Sequence, residues 1–89
     1  LSLPAAPGNF NSVQIEENAI SLGWDSVTSA TYYSLNRNEE SIYEGPELRF
    51  TDSGLESGTV YNYDISASNE TGTGEKAVLN GLITLPGQV

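Results

Sequence analysis

Three aspartates, a run of glutamates, an Asn-x-Thr triplet and two tyrosines of outward parity are the residues of this chain whose types invite chemistry. Asp25, Asp52 and Asp64 offer carboxylates, which general acid–base catalysis pairs across a cleft. No histidine or cysteine accompanies them, so the commonest proton-transfer group and every thiol nucleophile are missing. Asp52 begins a turn signal and Asp64 has outward parity on its strand; turn formation and solvation account for both. There is no Gly-x-Ser-x-Gly, and the segment Gly54–Gly58 is a turn without a phosphate-loop lysine. No catalytic residue, cofactor-binding residue or metal ligand is assigned, and no cofactor is expected.

Glu39, Glu40, Glu44 and Glu47 lie within nine residues, but calcium loops want closely spaced Asp and Asn side chains with carbonyls in a tight turn. The run reads instead as a solvated acidic loop that keeps short edge strands from pairing with neighbours. Asn69-Glu70-Thr71 matches the N-glycosylation acceptor pattern, which matters only in a eukaryotic secretory pathway. Tyr32 has the parity opposite to Tyr33, and Tyr43 neighbours Ile42 on a short strand. If those strands pair, Tyr32 and Tyr43 form a candidate glycan-stacking pair on one outer face.

Positioning these groups falls to a small all-β scaffold. The 89 residues suit one domain with a single core. Three basic against twelve acidic residues give a net charge of −9, which excludes nucleic acid and other polyanions, since these need a basic face. No window approaches 18 apolar residues, so no membrane insertion is expected.

The dominant period is two, the mark of strands with one buried face. Ile20, Leu22 and Trp24 alternate with small residues, as do Tyr33, Leu35 and Arg37, and then Tyr61, Tyr63, Ile65 and Ala67. Phe10, Val13 and Ile15 make an earlier strand whose spacing slips near Asn11–Ser12, where a bulge would restore the face. Ile42–Glu44 and Arg49–Thr51 read as short strands. A last strand is expected from Lys76 to Leu85, with Ala77, Leu79, Ile83 and Leu85 on one parity and a bulge at Asn80–Gly81. No helix longer than a turn is expected. Seven short strands separated by turn signals at 8–12-residue intervals predict a seven-stranded antiparallel β-sandwich.

One stretch narrows the sandwich type. Leu55, followed six residues later by Tyr61 at the start of a strand, fits a tyrosine corner, in which the phenol reaches back to a backbone group exposed by the turn. With Trp24 on the second strand and Tyr33 on the third, the chain resembles a fibronectin type III domain of the bacterial secreted or surface-protein type, with an immunoglobulin-like sandwich, from Pro4 to Pro86. Ser57 departs from the proline often found there. The loop Asn69–Glu75 has no Arg-Gly-Asp, so the family's integrin-binding route is not carried over. Trp24, Tyr33, Leu55, Tyr61 and Tyr63 are expected in the core. Tyr61→Phe is expected to destabilise by leaving a buried carbonyl unpaired.

The ends echo each other. Leu1-Ser2-Leu3-Pro4 resembles Ile83-Thr84-Leu85-Pro86, and Pro7-Gly8-Asn9-Phe10 resembles Pro86-Gly87-Gln88-Val89. Residues 1–6 are therefore expected to be a linker or the end of a preceding module, 7–86 the domain, and 87–89 a linker to a following one. The resemblance implies a non-catalytic, monomeric spacer in a larger extracellular or cell-surface protein, such as a bacterial polysaccharide-degrading enzyme. Its partners are then neighbouring domains of the same chain. The alternative is a recognition module that binds protein or polysaccharide through loops or the outer sheet face.

Overall fold

A computed structural model describes residues 3–87. Seven strands follow one another: β1 Asn11–Ile15, β2 Ala19–Gly23, β3 Tyr32–Arg37, β4 Glu40–Gly45, β5 Arg49–Ser53, β6 Val60–Asn69 and β7 Gly72–Ile83. The described residues contain no helix. The strands form two antiparallel sheets, one ordered β1-β2-β5 and the other β4-β3-β6-β7. This is the expected immunoglobulin-like sandwich. Because the strands alternate in direction, one pole carries the segment before β1, the β2–β3 loop and the β6–β7 turn. The opposite pole carries the β1–β2 turn, the β3–β4 turn, the β5–β6 connection and the end of β7.

Parity decides what lies between the sheets. Ile20, Leu22 and Leu35 are fully buried, as are Ile65 and Ala67, and Trp24, Tyr33, Leu55, Tyr61 and Tyr63 lie within the same core. Each large side chain among them contributes about 1.5–3 kcal/mol by leaving water. The β3–β4 hairpin closes through Asn38 and Glu39, both at positive φ (48° and 69°), the geometry whose twist matches the flanking strands.

Bulges move residues off their expected faces. In β1 the extra residue is Val13, one position beyond the expected slip: Ser12 pairs with Leu22 and Gln14 with Ser21. Val13 accordingly points to solvent, 54% exposed, and Phe10 lies just outside the strand. In β7, Tyr61 pairs with Leu82 but Tyr63 with Leu79, so Asn80–Gly81 is indeed a bulge. Gly81 there has φ +75°, and its N–H donates to Asn62 Oδ1 at 2.9 Å. That extra residue reverses the parity beyond it. Leu82 and Thr84 turn inward, while Ile83 and Leu85, expected inside, face solvent.

The strand also starts earlier than expected, at Gly72 rather than Lys76. Asn69 pairs directly with Gly72 across a two-residue turn. Residues 4–6, read from sequence as linker, lie against the sandwich: Pro4 is buried, and its backbone crosses Gly74. Of the echoed ends, Leu1, Ser2, Gln88 and Val89 lie outside the described residues.

Candidate functional site

The three aspartates are not brought together. Asp25, at the pole of the β2–β3 loop, accepts a hydrogen bond from Asn9 Nδ2 at 2.6 Å. Asp64, on the outer face of β6, accepts one from Asn36 Nδ2 at 2.7 Å. Asp52 departs most from its expected role as a solvated turn residue. It lies in β5 with its side chain 6% exposed, between the two sheets near the opposite pole.

There Arg37 Nη1 donates to both Asp52 oxygens, at 2.7 and 2.8 Å, and the Tyr63 hydroxyl donates to Oδ2 at 2.8 Å. The Arg37 guanidinium also lies over the Tyr61 ring, 5.8 Å from its centroid. One carboxylate thus joins β5 of one sheet to β3 and β6 of the other. The signal was present in the sequence: Arg37 shares the inward parity of Tyr33 and Leu35, and an inward cation needs a counterion. Which acid supplies it depends on how the sheets face, and strand parity alone does not say.

Electrostatics follow from the geometry. The hydrogen bonds it donates to Asp52 hold the Arg37 guanidinium above its ordinary pKa. Burial, reinforced by the hydrogen bond to Asp52, pushes the Tyr63 phenol well above its ordinary value. The unfolded chain ionises this tyrosine near pH ~10 while the folded chain does not. Stability from this source is therefore complete below pH ~10 and is lost as pH rises beyond it. In urea titrations between pH ~9 and ~11, Tyr63→Phe is expected to show a shallower fall in stability than the unaltered chain. Parallel falls in the two proteins would contradict this.

The tyrosine corner is present with a different partner from the one expected. The Tyr61 hydroxyl accepts the Glu56 N–H at 3.0 Å, so a donor, not a carbonyl, depends on it. Tyr61→Phe leaves that N–H without an acceptor and is expected to cost about 1–2 kcal/mol. An unchanged urea midpoint would refute the assignment. Two other phenols act alike: Tyr33 accepts the Val27 N–H at 2.8 Å and Tyr43 the Glu47 N–H at 3.0 Å.

Beside the corner, Thr84 is 1% exposed. Its hydroxyl accepts from Thr59 N at 3.0 Å and donates to the Glu56 carbonyl at 2.6 Å. Leu85 N donates to Glu16 O and Leu85 O accepts from Gly58 N, both at 3.0 Å. The parity reversal at Asn80–Gly81 is what delivers Thr84 to this place.

Strands β3 and β4 do pair, but they place Tyr32 and Tyr43 on opposite faces. Tyr43 lies opposite fully buried Leu35, and directly paired residues share a face. Its ring stacks on Phe50 with centroids 5.1 Å apart, while Tyr32 is 37% exposed. The two rings therefore form no common platform. Among the described residues no group of three or more acidic side chains could hold a metal ion. Asn69 helps shape the β6–β7 turn: its Oδ1 accepts from Thr71 N at 2.8 Å, and its Nδ2 donates to Ser29 O at 3.1 Å.

No family model matches the chain. Over 72 residues it is 32% identical to an alpha-amylase of Niallia circulans, which spans 78% of this chain and 6% of the amylase. A poly(3-hydroxybutyrate) depolymerase of Ralstonia pickettii is 31% identical over 67 residues, 75% of this chain and 14% of the relative. Chitinase C of Streptomyces lividans is 28% identical over 81 residues, 84% of this chain and 13% of the relative. The chain thus spans only 6 to 14% of the curated relatives it matches, so what it shares with them is an accessory, non-catalytic module. Among solved structures, the crystal structure of FN3tt superposes with a TM-score of 0.84 at 19% identity, covering 94% of this chain and 98% of that one. The fn3 domain of the human collagen alpha-1(XX) chain gives 0.81 at 19% identity, covering 100% and 93%.

Proposed function

Because this chain folds as a fibronectin type III domain, we propose that it is a spacing and positioning module within a larger extracellular multidomain protein, a bacterial polymer-degrading enzyme. One observation carries this: the incoming and outgoing segments are each fastened to the sandwich, at opposite poles. Pro4 and Pro7 are buried at the pole of the β6–β7 turn, and Thr84 is held at the other. A chain that enters and leaves in this way holds its neighbours apart along the long axis of a body measuring 54 × 20 × 17 Å. Residues 7–86 with the seated Pro4 form the rigid unit, and the flanking residues join it to those neighbours.

The enzymes that share the segment support the same role. They are named as an alpha-amylase, a poly(3-hydroxybutyrate) depolymerase and a chitinase, enzymes of three different polymers. A module that recognised one of these polymers would have no use beside the other two, whereas separation is useful to all three.

The test is a replacement within the parent enzyme. Exchanging the module for a flexible Gly/Ser linker should leave activity on a soluble substrate unchanged and lower activity on the insoluble polymer. An unrelated rigid sandwich of equal length should restore the latter. Failure of the unrelated sandwich to restore it, together with loss of polymer binding, would establish a recognition module instead.

A further inference from the structure

We infer that Gly72 and Gly74 form a seat on β7 for the stretch Leu3–Pro7, and that this seat sets the direction from which preceding chain reaches the sandwich. This rests on the spacing role proposed above and names the element that enforces it. A Cβ at Gly74 would fall 1.9 Å from the Pro4 carbonyl oxygen, 2.9 Å from its carbon and 3.4 Å from the Pro4 nitrogen. These are backbone atoms, which cannot swing aside as a flexible side chain can. A Cβ at Gly72 would lie 3.2 Å from Leu3 Cδ2.

The strand is shaped to receive this segment. Pairing slips by one residue between Ser66 and Ser68, which places a bulge at Gly74–Glu75, and a bulge bends the strand that carries it. β7 is an edge strand, so the seated segment also covers part of an edge otherwise open to pairing. Proline suits the position because it brings no N–H that would need a partner there.

Further fastenings follow downstream. Pro7 is buried, the Gly8 carbonyl accepts the Asp25 N–H at 2.9 Å, and Asn9 Nδ2 reaches the Asp25 carboxylate. Two prolines with fixed φ and contacts from Leu3 through Asn9 leave the segment one path across the pole.

Backbone 15N relaxation on the whole chain tests the seat. The Ala5 and Ala6 amides should have order parameters near those of the strands, about 0.85, and fall below about 0.6 in Gly74→Ala, with β3 and β6 unchanged. If Gly74→Ala loses the dispersed spectrum of a folded sandwich, Pro4→Gly is measured instead, with the same result expected. Ala5 and Ala6 mobile in the unaltered chain, or still rigid in the folded variant, would overturn the seat. Two copies in series, spin-labelled one on each, then read the spacing role separately. A rigid Ala5–Ala6 stretch with a broad inter-label distance would leave the seat standing and sink the spacing role.

Discussion

Replacing Asp52 by Ala is expected to destabilise the sandwich by about 3 kcal/mol, read as a lowered urea midpoint with an unchanged slope. The substitution leaves two donors without their acceptor. Tyr63 is 1% exposed, so its hydroxyl has no ready access to water and bears the desolvation penalty of an unpaired buried group, about 1–3 kcal/mol. The Arg37 side chain is 25% exposed, and water can partly solvate its charge. That places the loss at the lower end of what removing one partner of a buried pair costs, about 3–5 kcal/mol. Both contacts to the carboxylate come from a single Arg37 nitrogen, so they count as one shared interaction and not as a two-pronged clamp.

Asp52→Asn keeps an acceptor for Tyr63 and should lose about half as much. Combining Asp52→Ala with Arg37→Met removes the orphaned cation, and the pair should be more stable than Asp52→Ala alone. A loss below about 0.5 kcal/mol for Asp52→Ala would mean that the bridge between the sheets is ornamental, since surface substitutions fall within that range.

The sandwich itself is legible in the alternation of Ile20-x-Leu22-x-Trp24, Tyr33-x-Leu35 and Tyr61-x-Tyr63-x-Ile65-x-Ala67, because burying one face of a strand imposes a period of two. The Leu55–Tyr61 spacing likewise announces the corner, since both ends of that contact lie within a few residues. Legibility fails where one residue changes the count. At Asn80–Gly81 the bulge could be expected from the dipeptide, yet its consequence, Thr84 turning inward and Leu85 outward, follows only if parity is restarted beyond it. Val13 is the same lesson on β1.

Contacts between distant segments are harder still. Asp52 shares the inward parity of Phe50 once β5 is carried past Thr51, but which groups it meets is not legible there, because its partners arrive from the other sheet. The seat of Pro4 depends on a bulge in β7 some seventy residues later in the chain. Tyr32 and Tyr43 were separable only through the register that sets Tyr43 opposite Leu35. Local pattern specifies which face of a strand is apolar, but three-dimensional register decides which polar group meets which.

Trp24→Ala is expected to be the most damaging single substitution, costing about 4 kcal/mol. Trp24 is 5% exposed and touches three rings. Phe10 meets it edge-on with centroids 6.2 Å apart, Tyr33 lies at 6.1 Å and Tyr43 at 6.4 Å. Truncation removes the ring from all three and leaves a cavity that rings held by Val27 N–H and Glu47 N–H cannot collapse to fill. Against a net stability of about 5–10 kcal/mol for a domain of this size, the variant sits near its unfolding limit.

Trp24→Phe should behave quite differently. Among the described residues, Trp24 Nε1 is the buried side-chain polar atom that lacks a hydrogen-bond partner. Replacing the indole by phenyl therefore breaks no hydrogen bond and removes the penalty of burying an unpaired N–H, about 1–3 kcal/mol. That gain offsets much of the smaller cavity, so the net cost should be about 1 kcal/mol or less, measured by urea unfolding beside Trp24→Ala. Equal losses in the two variants would show that the N–H has a partner in solution. Because Phe10 packs on Trp24 and directly follows the fastened segment Leu3–Asn9, Trp24→Ala should also raise the mobility of Ala5 and Ala6, and Trp24→Phe should not. The core would then be seen to stiffen the pole at which the incoming chain is held.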